Sequence, residues 1–267
     1  MKKIVIAACF CLSITTLFAQ GREAKQQKKE ERKERINQLV KQEEEGALIF
    51  NKQNVFGIRL TTDGYSAFYE LGQLKTPTRT NLYSLEIGER KHSKEEKLSR
   101  GSTFGPALGN PYIYGKVNNF YYAKLGFGQQ RLIGGKGNKN GVAISAIYGG
   151  GFTAGLLKPY YIEINDAAGN RLDLKYNGKN DSTFLSSDNI YGSSSFGKGF
   201  GEIKFVPGVF AKTALRFDYG RFNESVNAIE VGLNFDFYGQ KMPILLLNDE
   251  KRFFFSAYAS ILFGRRK

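Results

Sequence analysis

Hydrophobic and polar residues alternate along this chain from about residue 54 onward, which is the period-two pattern of β-strands. From Ile229 to Phe237 every odd position is Ile, Val, Leu or Phe, whereas the even positions include Glu230 and Asp236. Runs of this kind, separated by turn-forming residues, have the length of a tilted strand that crosses a membrane. Eight strands are predicted, at residues 55–62, 65–72, 80–91, 119–131, 142–152, 205–219, 226–238 and 252–265.

The connections between the predicted strands are sorted by length. With the amino terminus in the periplasm, two outer connections (92–118 and 163–203) are long, whereas the inner turns are short. This asymmetry is typical of outer-membrane barrels, and a soluble sandwich has no reason to show it. We therefore predict an all-β fold, an antiparallel transmembrane up-and-down β-barrel over residues 51–267. Eight strands are expected, and ten are the alternative if the glycines at 149–151 form a turn.

The first 19 residues have the composition of a cleaved secretory signal peptide, with two lysines, an apolar run and Ala19 at a cleavage position. An alternative is a lipoprotein cleavage box at residues 6–9. Residues 20–50 are predicted to form a charged periplasmic helix or a disordered arm, because positions 21–45 carry eight Lys or Arg and seven Glu but only a short apolar stripe.

The polar face of the predicted strands carries charges of both signs. An eight-stranded barrel is only wide enough for side chains to fill it, and buried charges must be paired. We therefore expect a closed, salt-bridged interior, since a conducting pore would need more strands or an unbalanced lining. The charges assigned to this lumen network are Arg59, Glu70, Glu86, Arg90, Lys124, Lys212, Arg216, Asp218, Glu230 and Asp236.

An apolar run stands in the last outer connection, where exposed hydrophobic residues often mark an interface. The candidates for a partner contact are Met242, Ile244, Leu245, Leu246 and Leu247. The alternative is that this run folds over the barrel mouth as local core. A hairpin of residues 160–164 and 171–175 is expected to stand above the membrane.

Few residues are available for chemistry. Cleavage after Ala19 removes both cysteines, and His92 is the only histidine. Its neighbour Ser93 would point to the opposite face of a strand, so the two do not form a dyad. We therefore predict no catalytic residue, no cofactor and no metal site.

The charge balance is strongly basic. The formal net charge of +14 becomes +12 without Lys2 and Lys3, because residues 1–19 contain no acid. An exported protein seldom meets nucleic acid, so no nucleic-acid partner is expected. Outer-membrane lipid and lipopolysaccharide phosphate are the expected anionic counterparts.

Several short segments resemble a family of single-domain outer-membrane barrel proteins from Bacteroidota, with an OmpA/OmpX-like eight-stranded architecture. They are residues 115–121, 126–130, 155–161, 189–192, 198–202 and 262–266, together with the Ala19-Gln20 cleavage site. The resemblance covers most of residues 50–267. It implies a barrel fold in the outer membrane and carries no activity or catalytic residue with it.

Three functions follow as hypotheses. The first is a non-enzymatic outer-membrane barrel that serves as a structural or accessory subunit of an outer-membrane protein assembly or secretion complex, with other outer-membrane proteins as its partners. The second is a narrow outer-membrane channel. The third is a lipid-modifying outer-membrane enzyme that uses His92.

Overall fold

The computed structural model describes residues 29–30, 33, 50–99, 110–137, 141–165, 169–220 and 224–267. The predicted signal peptide lies outside these residues, as does most of the charged arm, of which Lys29, Glu30 and Lys33 are helical. No helix in the described part of the chain is long and apolar enough to cross a membrane.

Strands dominate the described residues. In chain order they are β1 (Lys52–Thr61), β2 (Gly64–Thr76), β3 (Arg79–Arg90), β4 (Lys97–Leu98), β5 (Tyr112–Ile113), β6 (Asn118–Gly134), β7 (Ala143–Pro159), β8 (Tyr161–Asn165), β9 (Arg171–Lys175), β10 (Ile190–Ser193), β11 (Lys204–Asp218), β12 (Ser225–Met242) and β13 (Lys251–Arg266). Two short helices, α1 (Asp181–Phe184) and a 3₁₀ turn (Phe200–Glu202), lie between β9 and β11.

Eight of these strands close a barrel in the order β1-β13-β12-β11-β7-β6-β3-β2. Every neighbouring pair is antiparallel, including the closing pair β1 and β13. Each of the eight predicted runs overlaps one barrel strand, although β7 continues to Pro159 and β12 to Met242, beyond the predicted ends at residues 152 and 238. The predicted fold class and strand number are therefore confirmed, and the ten-stranded alternative is wrong.

The glycine triplet at 149–151 lies inside β7 and interrupts nothing. A Cβ atom added to Gly151 would stand 2.1 Å from the carbonyl oxygen of Leu125 on β6. The glycines therefore allow β6 and β7 to approach closely, which is a common reason for glycine within a strand.

The two faces of each barrel strand differ as the alternation predicts. In β1, Val55 and Arg59 are fully buried, whereas Phe56 and Ile58 are 51% and 57% exposed. The same contrast recurs around the barrel, so the interior is mixed polar and apolar and the outer wall is an apolar belt. Exposed members of this belt include Leu60, Ile87, Leu125, Phe152, Phe205, Val209, Val231, Phe255 and Phe263.

The two ends of the barrel are built differently. At the end that holds the start of β1 and the finish of β13, which we call the terminal end, the strands are joined by short turns. At the opposite, loop end the connections contain β4 paired with β5 and a three-stranded sheet in the order β10-β8-β9. The expected outer hairpin is thus present as β8 and β9.

The elements at the loop end form a second small core, which we call the cap. Its buried residues are Tyr112, Ile162, Phe184 and Ile190, and Leu98, Tyr160, Ile164, Leu174, Tyr176 and Leu246 pack around them. Three separate connections contribute to this core, so the loops are packed against one another instead of extending singly into solvent.

Candidate functional site: the closed lumen and its mouth

The centre of the lumen is organised by Arg59 of β1. Its Nη1 donates to Glu86 at 2.5 Å, its Nη2 donates to Glu230 at 3.2 Å, and its Nε donates to the Ser260 hydroxyl at 3.0 Å. The guanidinium carbon lies 4.1 Å from the centre of the Tyr258 ring. A fully buried cation of this kind is tolerated because its donors meet acceptors and an aromatic face.

A second arginine, Arg216 of β11, reaches two carboxylates. It makes a two-pronged contact with Glu70, at 2.7 and 3.0 Å, and its Nη2 donates to Glu230 at 2.7 Å. The paired geometry matches the fork of a guanidinium to the two oxygens of a carboxylate. Glu230 also accepts from the Tyr258 hydroxyl at 2.7 Å, so this one carboxylate connects both arginines.

A third group lies nearer the loop end. Arg90 pairs with Asp236 at 2.7 Å and with Asp63 at 2.7 Å, while the Lys124 ammonium lies 2.6 Å from the second oxygen of Asp236. Arg90 is also 4.7 Å from the centre of the Phe254 ring. Four strands or turns are tied together here across the lumen.

At the terminal end a smaller group closes the barrel. Arg266 pairs with Asp218, and Lys136 lies 3.7 Å from the other oxygen of that carboxylate. Lys136 also donates to the carbonyl oxygen of Gly220. The guanidinium of Arg266 covers the ring of Phe50, whose contact with the barrel seals this end.

Lys212 is the exception among the ten charges assigned to the lumen. All ten are buried, but among the described residues Lys212 lies within 4.0 Å of no carboxylate. Its register partner Asn234 and the next residue in that row, Ser256, are also buried, and none of the described residues forms a hydrogen bond to their side chains. The lumen is therefore polar at this level without being ion-paired.

The apolar run of the last connection lies across the mouth of the barrel. Met242, Ile244 and Leu245 are at most 7% exposed and pack on Phe120, Tyr122, Leu157, Val206 and Tyr238. Backbone bonds from Val117 to the Ile244 carbonyl (2.9 Å) and from Leu246 to the Gly115 carbonyl (2.9 Å) hold the run in place.

This packing buries most of the residues considered for a partner contact. Met242, Ile244 and Leu245 are part of the core of the mouth, since burial against the upper lumen removes them from water, and Leu246 is half-buried against the cap. Leu247 is the member of the run that stays exposed, at 69%. It lines an open cleft of about 280 Å³ with Lys94, Glu96, Tyr114 and Asn248.

The ion pairs of the cap are mostly exposed. Lys175 pairs with Glu202, and Lys198 pairs with Asp173, with side chains between 27% and 46% exposed. Hydrogen bonds from Lys175 and then from Tyr161 lower the pKa of the Glu202 carboxyl. Such pairs in contact with water contribute little to stability.

One cap pair is buried. The Lys116 ammonium lies 3.0 Å from Glu95, and both side chains are less than a tenth exposed. Burial lowers the pKa of Lys116, and the Glu95 carboxylate acts in the opposite direction. This pair lies beside the mouth and helps to hold the second outer connection over it.

His92 lies in a hydrogen-bonded turn of the second outer connection. Its Nδ1 accepts a hydrogen bond from the backbone of Lys94 at 3.2 Å, and its own backbone nitrogen donates to Glu95. The adjacent cavity, about 10 Å³, has room for no more than one water molecule. Within the described residues no group of three or more His, Cys, Asp or Glu side chains could hold a metal ion.

Three charged residues of the lumen were not predicted from the sequence. Asp63 and Lys136 lie in connections, where no strand face can be assigned. Arg266 could have been found, because it has the parity of Ser260 and Tyr258 and only the predicted strand end at residue 265 excluded it. The buried tyrosines Tyr122, Tyr238 and Tyr258 also have the parity of the inward-facing residues on their strands, so they could have been found in the same way.

Solved structures of several small barrels are similar to this chain. Neisserial surface protein A is 8% identical, with 81% of this chain and 96% of that chain covered and a TM-score of 0.38. The N-terminal β-barrel domain of Pseudomonas aeruginosa OprF is 10% identical (80% and 98%, TM-score 0.34). Ail, the attachment invasion locus protein of Yersinia pestis, is 8% identical (82% and 100%, TM-score 0.37).

No family model matches the chain, and no curated protein matches its sequence. The Bacteroidota family of the sequence resemblance therefore stays a prediction.

Proposed function

We propose that this protein is a non-enzymatic β-barrel of a Gram-negative outer membrane that serves as a structural or accessory subunit of a protein assembly or secretion complex. The observation that carries the proposal is the combination of a lumen filled by buried ion pairs with a cap that has its own core. These features favour contacts through the surface at one end over transport through the interior.

The apolar belt supports the membrane location. Large hydrophobic side chains such as Phe152 (76% exposed), Leu60 (65%) and Leu125 (64%) cover the outer wall, where a water-soluble protein would carry polar groups. The barrel has no free sheet edge, as a membrane-spanning sheet requires. In this placement the terminal end and the charged arm face the periplasm, and lipopolysaccharide surrounds the loop end.

The closed lumen favours a structural role over the channel alternative. A path for ions would have to cross three levels of ion pairs and then the apolar mouth, and breaking buried pairs is expensive. The lipid-modifying alternative has less support, because the cavity beside His92 that the described residues form is about 10 Å³, which is too small for an acyl chain.

The cleft beside Leu247 is the best candidate for a protein contact at the loop end. It combines an exposed leucine with Tyr114 and with charges of both signs from Lys94 and Glu96. Interfaces commonly have this make-up, with an apolar centre and a polar rim. The cleft is formed by the second and last outer connections, which the mouth core holds in place.

Co-purification tests the proposal. Tagged protein is extracted from outer membranes in mild detergent, and the bound proteins are compared for the wild type, Leu247→Asp and the matched control Leu172→Asp, whose leucine is 52% exposed on β9. We expect a stoichiometric outer-membrane partner that is lost with Leu247→Asp and kept with Leu172→Asp. Isolation of the wild type as a lone monomer at native expression would contradict the accessory role.

A further inference from the structure

One lysine on the outer wall is buried although it faces away from the lumen. Lys158 lies at the loop end of β7 and pairs with Asn119 of β6. Its neighbour Leu157 points inward into the mouth core, so Lys158 points outward. Even so, it is only 2% exposed.

Two phenylalanines of the segment before β11 cover this lysine. The rings of Phe196 and Phe200 meet edge to face with centres 5.4 Å apart. The Lys158 ammonium lies 4.1 and 4.2 Å from the two ring centres and donates to the carbonyl oxygen of Phe196. The cation is thus held beneath the rings, which remain 70% and 49% exposed on their outer sides.

The position of this aromatic pair along the wall can be estimated from β7. The outward residues of that strand below Lys158 are uncharged: Ile144, Ala146, Tyr148, Gly150, Phe152, Ala154 and Leu156. From the first to the last of these is about 40 Å of strand, or roughly 28–32 Å of height at the usual tilt of about 35–45°. That height is close to the hydrocarbon thickness of a bilayer, about 30 Å.

The apolar belt also continues from β7 onto the neighbouring strand β11, toward the aromatic pair. Leu156 pairs with Phe205, the second residue of β11, which is 60% exposed. Phe200 precedes it by five positions. Aromatic rings beside a lysine at this level have the composition of a membrane interface, where rings sit among the headgroups and lysines reach toward phosphate.

We propose that Phe196 and Phe200 insert at the boundary between headgroups and acyl chains of the outer leaflet, and that Lys158 fixes their orientation. The inference rests on the proposed membrane location. It makes the segment before β11 a lipid-contacting edge of the cap. Exposed Lys204 adds a positive charge suited to anionic headgroups.

The experiment uses the absence of tryptophan from the chain. Phe196→Trp and Phe200→Trp are each refolded into vesicles of phosphatidylcholine and phosphatidylglycerol, with and without bromine on the acyl chains. Phe152→Trp, in the middle of the belt, is the control for lipid exposure, and Leu247→Trp is the control for water exposure. Both position 196 and position 200 are tested, so that a local disturbance caused by one substitution leaves the other informative.

We expect brominated lipid to quench the fluorescence of Trp at positions 196 and 200 several-fold more than that of Trp at position 247. The emission of Trp at positions 196 and 200 should also lie at shorter wavelength. Quenching by aqueous acrylamide as strong as at position 247, with none by brominated lipid, would overturn the inference if position 152 is quenched normally. If position 152 also escapes brominated lipid, the membrane location itself fails.

Discussion

The lumen and the cap contain the same kinds of ion pair in opposite surroundings. Arg216 and Glu230 pair with side chains 2% and 0% exposed, whereas Lys175 and Glu202 pair with side chains 44% and 45% exposed. In the lumen a paired charge such as Arg216 depends on its partner, because a lost partner leaves the other charge buried and uncompensated. In the cap, water can replace either partner, so these pairs orient loops without determining whether they fold.

The difference also separates what holds each region together. The barrel wall is stabilised by the backbone ladder and by contacts across the lumen. A single lumen side chain can therefore connect several strands. The cap depends on its apolar core, in which Ile162 and Phe184 are 1% exposed. Removal of a buried charge should therefore lower the stability of the barrel, and truncation of a core side chain should lower the stability of the cap.

The largest effect is expected for Glu230→Ala. The change leaves Arg59, Arg216 and the Tyr258 hydroxyl without their shared acceptor, so the free energy of unfolding should fall by roughly 3–5 kcal/mol. Urea unfolding of protein refolded into vesicles measures it. Glu202→Ala is the matched control and should leave the midpoint unchanged. Equal unfolding midpoints for the two variants would contradict the difference between lumen and cap ion pairs.

A slightly smaller and strictly local effect is expected for Ile162→Ala. Removing this side chain leaves a cavity in the cap core, which costs about 2–5 kcal/mol of cap stability. Limited proteolysis should then cleave between β8 and β10, while the barrel strands stay protected. Loss of protection in the barrel as well would show that the two regions unfold together.

Lys212→Met is expected to act in the opposite direction. The ammonium is buried, and no carboxylate of the described residues lies within 4.0 Å of it, so an apolar side chain of similar length should raise the free energy of unfolding by about 1–2 kcal/mol. The same urea experiment applies. A destabilisation as large as that of Glu230→Ala would mean that Lys212 compensates the carboxylates of the lumen from a distance.

The smallest effect is a pH dependence of the cap. Since the pKa of Glu202 is lowered in the folded state, its contribution is fully present above the ordinary value of 4.5 and is lost as the pH falls through the lowered one. Hydrogen exchange of β8 and β9 should rise slightly over that interval. In Lys175→Met the rise should be smaller, and an identical profile in both proteins would argue against the pair.

The barrel was predictable because one rule links all of its residues. A period of two sends every second side chain inward, so ten charged residues on six strands could be assigned to the interior without any knowledge of contacts. Their pairing could not be predicted, because it depends on how far neighbouring strands are shifted. The three carboxylates around Arg59 and Arg216 come from β2, β3 and β12.

The cap was predictable only as a hairpin. Its core combines residues from connections that are far apart in the chain, such as Tyr112, Phe184 and Leu246, and no periodicity links them. The burial of Met242 and Ile244 has the same cause. Whether an apolar run covers a mouth or faces a partner depends on the position of residues 115–118, which pair with it.

Planar-bilayer recording of the purified protein tests the closed lumen most directly. Insertion is verified in the same membranes by protection of the barrel strands from added protease. We expect a baseline current at every applied voltage, because ion pairs and the apolar mouth close the lumen that the described residues line. Reproducible single-channel steps from the wild-type protein would contradict it and would restore the channel as the function.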